Sequence, residues 1–160
     1  MKQVFESVRI RFVEVSELLI KDYLTMVNDL ENVEKYLGGP HEPYTGEQEV
    51  EWVQKHLAEK SPVFSMIEKK TGDFIGNIEL MDVRDSVGEL GIAITAKKQN
   101  MGYGTEAIRA LMSYARDRLK LRRVVLRAFP DNIRAIHVYE KCGFREYDRT
   151  EKDVFMEAAL

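Results

Sequence analysis

The sequence predicts one mixed α/β domain over residues 1–160, with a central, mostly antiparallel sheet flanked by helices. Three observations support this. A chain of 160 residues is one ordinary domain and is long enough to bury a core. Hydrophobic residues make up 44% and charged residues 32%, a globular composition rather than a disordered one. Segments of period 2 and period 3.6 alternate with hairpin signals between them, so a regular βαβ array is excluded.

The elements follow in order. Val8-Arg9-Ile10-Arg11-Phe12-Val13 alternates apolar and basic residues, the pattern of a half-buried strand. Ser16 is placed to cap a helix whose apolar stripe is Leu18, Leu19, Tyr23 and Met26. Gly38-Gly39-Pro40 breaks the chain. Thr45 and Gln48 have the spacing of a capping box, opening a second helix on which Val50, Val53 and Leu57 share a face. Strands at Val63–Glu68 and Phe74–Leu80 flank the turn Thr71-Gly72-Asp73. Another strand covers Gly88–Ile94, and a helix from about Gly104 to Leu119 buries Ala107, Ile108, Leu111 and Ala115. Arg123–Phe129 is a strand ended by Pro130. Asn132 caps a short helix that Gly143 ends, and Phe144 onward pairs with Val154–Glu157 as a last hairpin.

Composition excludes several functions. A net charge of -3 argues against a nucleic-acid module, whose phosphate contacts need a basic surface. No run approaches the roughly 18 apolar residues that span a bilayer, so no membrane partner is expected. The single Cys142 forms no intrachain disulfide and fits a reducing, cytoplasmic location. His41, His56 and His137 are scattered without ligand spacing, so no metal is expected.

The chemistry centres on Gln99-Asn100-Met101-Gly102-Tyr103-Gly104, a loop between a strand and a helix. Glycines let the main chain turn with positive φ, so that several N–H groups point outward at the positive end of a helix dipole. Such a loop holds a pyrophosphate. A Walker loop needs Gly-Lys-Ser/Thr, but Gly104 is followed by Thr105-Glu106. The dinucleotide pattern G-x-G-x-x-A is met by Gly102 to Ala107, yet the next strand, Arg123–Arg127, lacks the acidic residue that would bind a ribose.

Gln99, Gly102 and Gly104, followed by Thr105-Glu106-Ala107, resemble the acetyl-CoA pyrophosphate loop of the GNAT superfamily of N-acetyltransferases. Asn132, Ala135, Tyr139, Gly143 and Phe144 are similar to that family's Asn-x-x-Ala-x-x-x-Tyr-x-x-x-Gly-Phe signature. Glu89–Ile94 resembles the preceding strand of its RimJ/RimL-like branch. The resemblance implies the GNAT fold, acetyl-CoA as co-substrate and transfer to a primary amine by direct attack. It implies that Ile92, Ala93 and Ile94 lend backbone groups to the pantetheine arm. Gln99, Asn100, Met101, Gly102, Tyr103, Gly104 and Thr105 would cradle the pyrophosphate, with Asn132 and Ala135 beside the arm and Tyr139 beside the sulfur. It allows a homodimer. Asn100 and Met101 stand where a basic residue is frequent, and Lys97 and Lys98 are the candidates to compensate.

The attacking amine must lose a proton and the sulfur must gain one. Glu89 is the candidate base, through water, and Tyr139 the candidate acid or hydrogen-bond donor. Cys142, three residues from Tyr139, fits a core thiol better than an acyl carrier. The acceptor, a peptide N-terminus or small amine, is expected to meet residues 29–48. That segment carries Glu31, Glu34, Glu42, Tyr36 and Tyr44. A polyamine or amino-sugar acetyltransferase, and a non-catalytic acetyl-CoA-binding regulatory module, remain the alternatives.

Overall fold

The computed structural model describes all 160 residues, the side chain of Tyr36 excepted. In chain order the first half comprises β1 (Gln3–Glu6), β2 (Ile10–Glu14), α1 (Ile20–Val27), α2 (Gly46–Glu59), β3 (Val63–Glu68), β4 (Phe74–Arg84) and β5 (Val87–Ile94). The second half comprises α3 (Tyr103–Asp117), β6 (Arg123–Ala128), α4 (Ile133–Lys141), β7 (Arg145–Arg149) and β8 (Val154–Ala159). Eight strands form one sheet in the order β1-β2-β3-β4-β5-β6-β8-β7. Every described pairing is antiparallel except β5 with β6. The sheet is mostly antiparallel and helix-flanked, as the sequence predicts.

Strand alternation gives each face its own core. On one face Ile78, Leu80, Leu90 and Leu126 bury against Ala107 and Leu111 of α3. On the other, Val13, Val63 and Ile67 bury against Tyr23 and Met26 of α1 and Val53 of α2. Ser16 caps a short 3₁₀ turn, Glu17–Leu19, that leads into α1. Leu18 lies on that turn and is 79% exposed, so it leaves the apolar stripe expected of it. The Thr45–Gln48 capping box forms in both directions. On α2, Glu49 accompanies Val53 into the interior while Leu57 is exposed. Pairing starts at Ile10, and Val8 sits in the exposed turn of a β1–β2 hairpin that alternation alone does not indicate.

Among the described residues the one parallel pair, β5 with β6, is also the shortest ladder in the middle of the sheet. It joins Val87 with Arg123, Gly88 with Val124 and Glu89 with Val125, and it stops there. Beyond Glu89 the two strands separate, and alternate backbone N–H and C=O groups of Leu90–Ile94 face the gap. No helix of the described chain is long and apolar enough to cross a membrane.

Candidate active site

Three segments widely separated in the chain meet at this gap. A Cβ built on Gly104 would stand 3.5 Å from Ile94 Cδ1 of β5 and 4.0 Å from Val138 Cγ1 of α4. The strand end, the loop and the second signature helix therefore share one floor. Cys142 Sγ lies 3.8 Å from the Thr105 carbonyl, and Arg109 donates to the Lys141 carbonyl at 3.2 Å, locking α4 onto the first turns of α3. Burial pushes the Cys142 thiol up, so it stays protonated, the state of a packing residue.

The loop has the form an anion needs. Asn100 and Gly102 take positive φ, 63° and 81°. Among the described residues no backbone N–H from Asn100 to Thr105 donates a hydrogen bond, and the first helical bond is Glu106 N–H to the Gly102 carbonyl. These donors point from the N-terminus of a 15-residue helix, where the dipole favours negative charge. A phosphate-bearing co-substrate fits this run of unsatisfied donors. Met101 is 51% exposed, whereas the Tyr103 ring is buried and its hydroxyl donates to Glu68, so Tyr103 offers the loop only its main chain.

The side-chain braces differ from expectation. Lys98 is held by Glu68 at 3.1 Å and Asp73 at 3.0 Å, so it cannot replace the basic loop residue; Lys97 is exposed. The cation that reaches the loop is Arg9, from the start of β2. Its guanidinium donates to the Met101 carbonyl at 3.0 Å and to Glu106 at 2.8 Å, and covers the Tyr103 ring at 4.2 Å. Burial opposes ionisation of Glu106, but hydrogen bonds from Ser7 and Arg9 outweigh it and hold that carboxyl below its ordinary range. Gln99 spends its amide donors on the Ile94 and Asn32 carbonyls, both at 2.9 Å. It thereby ties the loop to β5 and to the α1–α2 segment. From Gly102, a groove of about 840 Å³ runs along α3 past Thr105 and Arg109 to Arg118.

Asn132 caps α4, its Oδ1 accepting from Ala135 N–H at 3.3 Å. One turn on, Tyr139 packs edge-on to Phe144 with ring centroids 6.1 Å apart. Its hydroxyl makes no hydrogen bond among the described residues, and burial pushes its pKa up to about 12. Tyr139 therefore holds its proton at every physiological pH.

On the opposite sheet face Glu89 occupies the last paired position before the strands separate. A second carboxylate, Glu79 of β4, joins it. Glu79 pairs with Gly91, two residues from Glu89, and its Oε1 would be 3.3 Å from a Cβ at Gly91. A side chain at that position would crowd the Glu79 carboxyl and Met81, which would have to give by a few tenths of an ångström. Burial, and then the charge of Glu89, raise the Glu79 pKa. The one available signal in the sequence is a charge between two apolar residues, Ile78 and Leu80, in a strand. Next on this face Asn77 Oδ1 accepts from Ser65 Oγ at 2.8 Å, and Ser65 shares a 2.6 Å bond with the Tyr23 hydroxyl.

The expected acceptor segment, residues 29–48, joins α1 to α2 and ends in the first turn of α2. Glu34 approaches His41 at 3.7 Å, Tyr44 is exposed and stacks near His41, and Glu31 and Glu42 are exposed. The side chain of Tyr36 lies outside the described residues. Among the described residues no group of three or more His, Cys, Asp or Glu is placed to hold a metal.

Residues 9–145 match the family described as acetyltransferase (GNAT) domain. The spermidine N(1)-acetyltransferase of Vibrio cholerae serotype O1 is 27% identical over 118 residues, covering 72% of this chain and 68% of that protein. The L-amino acid N-acetyltransferase AaaT of Escherichia coli K12 is 29% identical over 96 residues, covering 57% and 59%. A crystal structure of a GNAT-family acetyltransferase from Bacillus anthracis superposes with a TM-score of 0.83 at 20% identity, covering 96% of each chain.

Proposed function

The chain belongs to the GNAT acetyltransferase family and is an acetyl-CoA-dependent N-acetyltransferase, and on that premise we propose that its acceptor is a primary amine, a small amine or a peptide N-terminus, acetylated by direct attack. The observation that carries the proposal is the meeting of Ile94, Gly104 and Val138 at the β5–β6 gap, with Tyr139 on one side and Glu79 and Glu89 on the other.

Acetyl-CoA supplies an electrophilic acyl carbon and a thiolate leaving group. The main-chain N–H groups of Asn100 to Thr105 would hold its pyrophosphate, the β5 edge from Ile92 to Ile94 and the Asn132 amide would hold the pantetheine, and the groove past Arg109 would take the nucleotide end. The Glu79–Glu89 pair takes the proton from the amine. Burial and then the charge of Glu89 raise the Glu79 pKa, and a carboxylate with a raised pKa is the stronger base. Tyr139 acts as a hydrogen-bond donor. A phenol at about 12 facing a thiolate near 8.5 would lose about 5 kcal/mol by giving up its proton, so it stabilises charge on sulfur instead. The likeness of Glu89–Ile94 to the RimJ/RimL-like branch supports a peptide N-terminus, and the spermidine-acetylating relative supports a small amine.

The test is thiol release from acetyl-CoA across a panel of monoamines, polyamines, amino acids and peptides. Turnover on at least one amine is expected. Tight acetyl-CoA binding with no turnover on any amine would leave a regulatory acetyl-CoA-binding module, and absence of acetyl-CoA binding would remove the reading altogether.

A further inference from the structure

Asn77 of β4 spends its side-chain oxygen inside the fold and keeps its amide donors free. Ser16 N–H donates to the Tyr23 hydroxyl oxygen at 3.2 Å, Tyr23 and Ser65 share a bond of 2.6 Å, and Ser65 Oγ donates to Asn77 Oδ1 at 2.8 Å. Run in this direction, the chain gives both hydroxyl protons an acceptor. With the Asn77 amide turned round, Nδ2 would donate to Ser65, and one of the two hydroxyl protons would be stranded among the described residues. Tyr23 and Ser65 are both 0% exposed, so that proton would be buried unpaired, which is costly. The core therefore fixes which end of the amide faces outward. Asn77 itself is half-buried, and its Nδ2 donates to nothing among the described residues. Held from behind by its oxygen, it presents two N–H groups with little further loss of rotamer freedom on binding.

The register sets these donors beside the transfer site. Asn77 pairs directly with Ala93 of β5, so the two side chains stand on the same face as immediate neighbours. Ala93 packs against the cluster that contains Tyr23, which puts that face on the α1–α2 side of the sheet. Glu79 follows two residues later on the same face, about 7 Å along the strand. The two groups ask for different partners. A carboxylate suits an amine, whereas the Asn77 N–H groups repel an ammonium and accept only a partner with a lone pair. An amine whose neighbouring carbon carries an oxygen spans that separation with one hydrogen bond at each end.

We propose that Asn77 is a specificity-determining residue: it donates to a hydroxyl or carbonyl oxygen of the acceptor while Glu79 and Glu89 take the amine. Ser65 and Tyr23 act through it as positioning residues. This assignment rests on the amine-acetyltransferase reading and deepens it by naming the residue that selects among amines. An alkylamine of equal length forgoes one hydrogen bond and leaves the Asn77 donors unpaired, for which about tenfold in kcat/KM is expected.

The experiment measures kcat and KM for ethanolamine, glycinamide and propylamine with wild type, Asn77→Asp, Asn77→Ala and Ser65→Ala, each checked by circular dichroism. The readout is the ratio of kcat/KM on an oxygen-bearing amine to that on propylamine. Comparing this ratio between proteins cancels the basicity of each amine and any change in Glu79. It is expected to fall about tenfold in Asn77→Asp and Asn77→Ala, carried by KM, and by a smaller factor in Ser65→Ala, whose Asn77 amide is free to turn. Asn77→Asp keeps the shape and the Ser65 bond while removing both donors, so a merely structural Asn77 would leave its ratio unmoved. An unmoved ratio in both Asn77 variants, equal loss on all three amines, or putrescine preferred to both oxygen-bearing amines overturns the assignment. Turnover on no amine sinks the acetyltransferase reading instead. Calorimetric titration of glycinamide into the coenzyme A-saturated protein then decides: tighter binding to wild type than to Asn77→Asp upholds the role of Asn77, and equal or absent binding overturns it.

Discussion

At the scale of single residues, the proposed chemistry rests on two carboxylates and one phenol, and each has its own test. Tyr139→Phe removes one hydrogen bond to a developing charge, worth about 1.5–3 kcal/mol. Its kcat is expected to fall about 10- to 100-fold with the circular dichroism spectrum unchanged, and a variant as active as wild type would remove Tyr139 from the transfer step. Burial and the charge of Glu89 raise Glu79, so the acid limb of kcat/KM should lie above the ordinary carboxylate range. A base works only when deprotonated, so activity falls as pH drops through that raised value. Glu89→Gln removes the neighbouring charge and should move the limb to lower pH; loss of the limb would make Glu89 itself the titrating base. Glu89 was identifiable as a candidate because it lies in a strand that the sequence pattern makes recognisable. Glu79 was not, because its partner Gly91 is twelve residues away across a hairpin, and no one-dimensional pattern reports which face both occupy.

At the scale of elements, capping and periodicity carried the sequence reading well. The Thr45–Gln48 box, the α3 stripe and the Asn132 cap all depend on contacts within four residues, where local chemistry decides. The edge strand β1 and the exposure of Leu18 escaped, since a four-residue strand and a 3₁₀ entry are set by what packs on them. The closest tolerance sits at Gly76 of β4, which pairs with Ile94. A Cβ there would stand 2.0 Å from the Ala93 carbonyl oxygen, which no side chain can tolerate. Gly76→Ala is expected to cost about 3 kcal/mol or more in urea unfolding and to weaken acetyl-CoA binding, because it displaces the β5 end that floors the gap. Unchanged stability would show that β5 shifts without penalty.

At the scale of the whole molecule, ionic ties hold distant segments around the loop. Glu68 of β3 accepts from Thr71, Tyr103 and Lys98, which hold its carboxyl at about 2. A folded pKa below the unfolded value gives stability that is present above the unfolded value, near 4.3, and lost as pH falls toward 2. Glu68→Gln should therefore flatten the decline in urea midpoint between about pH 5 and pH 2. Glu34, Glu49 and Glu79 act with the opposite sign, since their raised pKa values make the folded state bind protons first as pH falls. A decline as steep in Glu68→Gln as in wild type would assign acid sensitivity elsewhere.

By itself the sequence determined the class of fold, the order of its principal elements, the loop of outward N–H groups and the helix with Asn132 and Tyr139. Each is written in short-range spacing that local sterics and hydrogen bonding enforce. The tertiary structure alone decided that β5 and β6 part after Glu89, that Arg9 rather than Lys98 reaches the loop, that Glu79 lies over Gly91, and that Glu49 is buried without a partner. Those facts join residues as far as 92 positions apart. They depend on strand order and on which face each side chain takes, which are properties of the closed sheet and not of any window of the chain.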